Sequence, residues 1–95
     1  MKIAIIGSGG REHAICKKIY ESKNLNKIFC LPGNGGTEKI AKNININIKN
    51  FEEIKNFLTK ERIDITIVGP EEPLVHGIAD FLIKHKFKVF GPDQF

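Results

Sequence analysis

Ninety-five residues, 41% of them apolar and 27% charged, make one globular domain whose core buries roughly 60 to 70% of the surface that the unfolded chain would expose. The longest apolar runs, Ile3 to Ile6 and Ile65 to Val68, are far too short to cross a bilayer. The run after Met1 and Lys2 stops at Gly7, where the core of a secretory signal would continue, so a cytoplasmic protein with no membrane partner is expected. The formal charge of +4 comes from lysines mixed with acids, as in KKIYESK and KNFLTKER, with no basic stripe interleaved with aromatics, and nucleic acid is not an expected partner.

Lys2 to Ile6 is a short continuous apolar run closed by Gly7, the pattern of a strand covered on both faces. From Arg11 the pattern turns helical: Ile15 and Ile19 lie four apart with Ala14 and Cys16 beside them, Lys17, Lys18 and Glu21 face outward, and Ser22 to Asn26 is a polar stop. Lys27 to Leu31 is a second strand, closed by Pro32-Gly33-Asn34-Gly35-Gly36-Thr37, which suits neither helix nor regular strand. The cysteines Cys16 and Cys30 lack a C-x-x-C spacing and read as buried free thiols, not as a disulfide or zinc ligands. Asn43 to Ile48 alternates polar and apolar residues, which predicts a half-covered edge strand. A helix follows, with Asn50 able to cap it, Glu53 at its third position, and Phe51, Ile54, Phe57 and Leu58 as its buried stripe, running to about Arg62. Asp64 to Val68 is a fourth strand, ended by Gly69-Pro70-Glu71-Glu72-Pro73. Leu74 to about His85 is a third helix with Ile78, Ala79, Phe81 and Leu82 inward, and Lys88 to Phe90 is a fifth strand before Gly91-Pro92.

Alternation of this kind, with right-handed crossovers, predicts an α/β fold: a doubly wound, Rossmann-like parallel sheet of about five strands with helices on both faces. In such a sheet the first strand is central and ligands sit beyond the carboxyl ends of the strands where their order reverses. The loops Gly7 to His13, Pro32 to Thr37 and Gly69 to Leu74 then share one rim.

The first loop departs from the common nucleotide signatures. Gly7-x-Gly9-x-x-Glu12 has two glycines of the dinucleotide fingerprint, but Glu12 stands where close packing of helix on strand wants no side chain. The second strand ends in Leu31-Pro32-Gly33 without the acid that holds a ribose hydroxyl of NAD, and no lysine follows the turn as a P-loop needs. A helix amino terminus remains, with backbone N–H groups at Gly9 and Gly10 offered to a phosphate. Arg11 either adds a charge-assisted contact or is a solvated first-turn residue, and His13 carries the same two readings; Glu12 is either part of the site or complements the helix dipole. Asn34, Gly36 and Thr37 offer an amide, backbone and a hydroxyl for a second ligand edge. Glu71, after a strand-ending Gly-Pro, is placed to accept from vicinal sugar hydroxyls, with Pro73 and Leu74 beside it. His76 and His85 lack a metal-binding spacing.

GSGGREHAI, PGNGGT, DITIVGPEEPLVHGI and the closing VFGP resemble, in order and spacing over the whole chain, the amino-terminal domain of the phosphoribosylamine-glycine ligase (glycinamide ribonucleotide synthetase) family. Glu72, His76 and Asp93 depart from that family's usual pattern, at rim positions only. The resemblance implies a pre-ATP-grasp Rossmann-like fold and, for the whole enzyme, ATP-dependent joining of glycine to 5-phosphoribosylamine in purine biosynthesis. ATP and magnesium (or manganese) would be bound in ATP-grasp domains outside these residues, so no catalytic residue and no ligase activity is expected of residues 1–95 alone. It further implies phosphate at Gly9, Gly10 and Arg11 and sugar hydroxyls at Glu71. The alternative is a free-standing, non-catalytic Rossmann-like module that binds a nucleotide or a phosphorylated effector.

Overall fold

The structure is a computed structural model that describes residues 1–7, 10–20, 27–33, 35–37, 41–69 and 75–91. In chain order the described elements are β1 (Lys2–Gly7), α1 (Gly10–Tyr20), β2 (Lys27–Pro32), β3 (Lys42–Asn43), α2 (Phe51–Lys60), β4 (Ile65–Val68), α3 (Val75–Lys84) and β5 (Val89–Phe90). The strands form one sheet in the order β3-β2-β1-β4-β5, parallel at every pairing. This is the expected doubly wound α/β, Rossmann-like arrangement. Among the described residues no helix is long and apolar enough to cross a membrane.

The apolar runs are continuous because both faces of the sheet are covered, and alternate side chains go to opposite layers. Ala4 and Ile6 of β1, Phe29 and Leu31 of β2, and Val68 of β4 face one layer, where they bury Ile54 and Leu58 of α2 and Ile78 and Leu82 of α3. The rings of Phe29 and Phe57 meet edge to face with centroids 5.4 Å apart. Ile3, Ile5, Ile28, Cys30 and Ile67 face the other layer, which α1 covers with Cys16 and Ile19, with Ala41 packed beside them.

Local chemistry sets the helix ends. Asn50 caps α2 as expected: its Oδ1 accepts from the Glu53 N–H at 3.1 Å, and its Nδ2 donates to the Glu53 carboxylate at 3.3 Å. At the other end Arg62 takes a left-handed conformation (φ 55°), its N–H donates to the Thr59 carbonyl, and the Ile63 N–H reaches back to Leu58. The end of α3 repeats this, with Lys86 at φ 68° and the Phe87 N–H donating to Leu82.

The third strand departs from expectation. The alternation of residues 43–48 predicted a strand of that length, but β3 is only Lys42–Asn43, paired with Phe29 and Cys30. One step later the Ile46 N–H donates to the Ile44 carbonyl, a three-residue turn that bends the chain away from the sheet. The isoleucines are still covered: Ile46 is buried, and Ile44 and Ile48 pack against the α2 and α3 layer. Burial of alternate residues was legible; the ladder that usually produces it is replaced by a bend leading into α2.

Candidate functional site

The carboxyl ends of β1, β2 and β4 lie side by side. Gly7 is level with Pro32 and Ile6 with Val68, and the ladder continues one step further on each side: the Gly33 N–H donates to the Gly7 carbonyl at 3.3 Å, the Gly69 N–H to that of Ile6 at 2.9 Å. Gly7 (φ 134°) and Gly33 (φ 80°) adopt backbone conformations that a side chain disfavours, so both chains can leave the sheet abruptly. From this rim α1 passes to one face and α3, after β4, to the other. The order therefore reverses between β1 and β4, the place at the carboxyl edge where sheets of this kind bind their ligands.

Gly10, Arg11 and Glu12 form the opening of α1, where the first N–H groups have no acceptor within the helix and the dipole favours an anion. Their side chains lie outside the described residues, as do Gly9, Asn34, Glu71, Pro73 and Leu74. The other two expected ligand positions, Gly36 and Thr37, are described.

Thr37 is buried at 1% exposure, and its Oγ1 donates to Asn43 Oδ1 on β3 at 2.8 Å. Its hydroxyl also lies within hydrogen-bonding reach of the Cys30 thiol. The hydroxyl expected to face a ligand is thus engaged in holding the loop to the sheet. Gly33 packs on the same pair: a Cβ there would collide with the Asn43 side-chain amide and come within 2.8 Å of Thr37 Oγ1. Gly36 approaches α1 instead, and a Cβ on it would stand 2.6 Å from Cε1 and 2.7 Å from Nδ1 of His13. Gly35, just before it in sequence, has nothing within 4 Å of such an atom.

Below this loop the two cysteines meet. Both are free and buried, and the Cys30 thiol donates to Cys16 Sγ at 3.8 Å. The bond from Cys30 holds Cys16 below the ordinary thiol range, because it stabilises the Cys16 anion. The same bond, burial and the neighbouring Cys16 charge push the Cys30 thiol far up.

Two residues of this rim escaped the reading of the sequence. Asn43 carried no signal beyond its place in an alternating run, because its partner Thr37 is brought to it only by β2–β3 pairing. His13, read as either solvated or ligand-facing, is half-buried with its ring against Gly36, a contact that neither reading named. The signal that could have found it is the unusual density of glycine in PGNGGT, which marks a close approach.

Comparison with known proteins agrees with the fold. The family model described as "Phosphoribosylglycinamide synthetase, N domain" matches residues 1–95. A phosphoribosylamine–glycine ligase of Clostridium acetobutylicum is 50% identical over 94 residues, covering 99% of this chain and 23% of that protein. One from Caldanaerobacter subterraneus subsp. tengcongensis is 47% identical over 94 residues, covering 99% and 22%. A trifunctional purine biosynthetic protein adenosine-3 of Chironomus tentans is 43% identical over 98 residues, 98% of this chain and 7% of that one. In structure, the chain is similar to a crystal structure of phosphoribosylamine–glycine ligase from Thermotoga maritima, with a TM-score of 0.55 and 27% identity over 79% of this chain and 17% of that chain. The chain thus spans about a fifth of the length of the ligases it matches. It belongs to the family of phosphoribosylglycinamide synthetase N domains.

Proposed function

We propose that this chain is the amino-terminal domain of an ATP-dependent phosphoribosylamine–glycine ligase of purine biosynthesis, acting in the cytoplasm, and that its rim holds the sugar phosphate of 5-phosphoribosylamine. The observation that supports this best is the placement of the α1 amino terminus at the point where strand order reverses, flanked by the backbones of Gly7 and Gly33. On this reading the N–H groups of Gly9 and Gly10 and the guanidinium of Arg11 bind the phosphate, with Glu12 in the same turn. Asn34 and Gly36 line one side of the sugar, with Thr37 behind them holding the loop to the sheet. Glu71 accepts from its hydroxyls on the other, beside Pro73 and Leu74. The domain's part in the chemistry is to fix the amine for attack.

ATP and magnesium or manganese are assigned to ATP-grasp domains elsewhere in the enzyme. Among the described residues no three His, Cys, Asp or Glu side chains gather as metal ligands, and the glycine turn has no P-loop lysine. ATP supplies the activation of the glycine carboxylate as an acyl phosphate, which the amine then displaces. No ADP formation is expected from these 95 residues alone.

Titration of the isotope-labelled chain with ribose 5-phosphate tests the site. The amides of Gly9, Gly10 and Arg11 should shift, and Glu71→Gln should weaken binding by about 1 to 3 kcal/mol through loss of a charge-assisted bond. Silence at those amides, with a response to NAD instead, would favour a free-standing nucleotide-binding module.

A further inference from the structure

The loop after β2 is gripped from two sides. At the sheet, Thr37 bonds to Asn43 and Gly33 lies against both. At the helix, Gly36 lies under the His13 ring so closely that a single added carbon would stand 2.6 to 3.0 Å from three ring atoms, Cε1, Nδ1 and Nε2. His13 and Cys16 are three apart on α1 and therefore share a face. One touches Gly36, and the other meets Cys30, whose thiol lies beside Thr37. One direct contact and one relayed through Cys30 thus tie the first turns of α1 to residues 36–37, while a Cβ on the preceding Gly35 would meet nothing within 4 Å.

We infer that His13 is a positioning residue whose ring, seated on Gly36, sets the spacing between the anion-binding turn of α1 and the loop after β2, and so the affinity for a sugar phosphate. The inference rests on the proposed function for its ligand but not for its geometry. The imidazole acts here by shape. It begins the fourth residue of α1, so movement of the ring or of the loop displaces the turn that presents the backbone N–H groups. Only glycine permits the approach at position 36, whereas position 35 has room for a methyl group. A ring on two torsions can swing aside, so a methyl group at 36 should release the contact without unfolding the domain.

A set of variants of the whole chain tests this: His13→Ala, His13→Phe, Gly35→Ala, Gly36→Ala and the double variant H13A/G36A, each titrated with ribose 5-phosphate. His13→Ala and Gly36→Ala should each weaken binding about tenfold, which is about 1.4 kcal/mol. Gly35→Ala should leave it unchanged. The double variant should be no weaker than either single one, because both remove the same contact. His13→Phe keeps a ring of similar breadth and should recover most of the affinity. Additive losses in the double variant, or a phenylalanine variant as weak as the alanine one, would overturn the inference, the latter by making the imidazole a direct ligand. Amide shifts without ligand separate the two ideas: Gly36→Ala should move residues 10–13 and Gly35→Ala should not. If the unmodified chain binds no ribose 5-phosphate yet this pattern holds, the proposed function fails and the spacing contact stands; if the pattern fails, the contact falls.

Discussion

The two faces of the sheet are built differently. The face covered by α2 and α3 is a broad aromatic and aliphatic layer, with Phe29, Leu31, Ile54, Leu58, Ile78 and Leu82 buried and Phe51, Phe57, Phe81 and Phe87 packed around them. Among the described residues the face covered by α1 is smaller, with Ile15, Ala41 and Ile65 at its edge, and toward the loop after β2 it is continued by sulfur, hydroxyl, amide and imidazole contacts. Hydrophobic burial is non-directional and fills volume, whereas hydrogen bonds and close backbone approach specify position. The first face therefore stabilises the domain, and the second sets where the α1 amino terminus stands relative to the β2 loop.

Substitutions on the two faces should separate these roles. The largest effect is expected from Phe29→Ala, which empties the centre of the broad layer and should lower unfolding free energy by about 3 to 5 kcal/mol. Chemical denaturation measures that loss, and ribose 5-phosphate affinity of the folded fraction should be unchanged; a matching loss of affinity would break the division of labour. Gly33→Ala comes next, at about 1 to 3 kcal/mol, since a side chain is strained at φ 80° and its Cβ meets Asn43 and Thr37. Here affinity should fall along with stability. If only stability changes, the loop after β2 contributes nothing to binding.

The smallest effect is alkaline and belongs to the cysteine pair. The folded chain ionises Cys16 early and holds Cys30 protonated, whereas the unfolded chain ionises both at the ordinary thiol value. Just below that value the folded state has released more protons, so stability rises slightly with pH. Above it the unfolded state has released one more, so stability should fall by about 1.4 kcal/mol per pH unit. Subtracting the profile of the C16A/C30A variant cancels lysine and tyrosine titration. A difference profile flat above the thiol range would mean that Cys30 ionises freely in the fold.

Most of the fold was legible in the sequence because it depends on local periodicity and punctuation. The continuous runs IAII and ITIV marked strands covered on both faces, the stripes of α2 and α3 marked their buried sides, and Asn50 with Glu53 marked a cap that forms as expected. Residues 43–48 show the limit of that reasoning. Alternation states which side chains are buried, but it cannot distinguish a paired strand from a bent segment that buries the same isoleucines.

The candidate site divides in the same way. Residue type and spacing in GSGGREH and PGNGGT were sufficient to propose an anion-binding turn opposite a second polar loop, whereas family membership rests on the match over the whole chain. What the side chains near that turn touch was decided by tertiary structure alone. Thr37 turns inward to Asn43, Cys30 reaches Cys16 and His13 settles on Gly36, each across a gap of sequence that only the sheet and α1 close. Backbone conformation is governed by neighbours in the chain and can be read from them, whereas a contact between loops depends on where the intervening strand and helix deliver their ends.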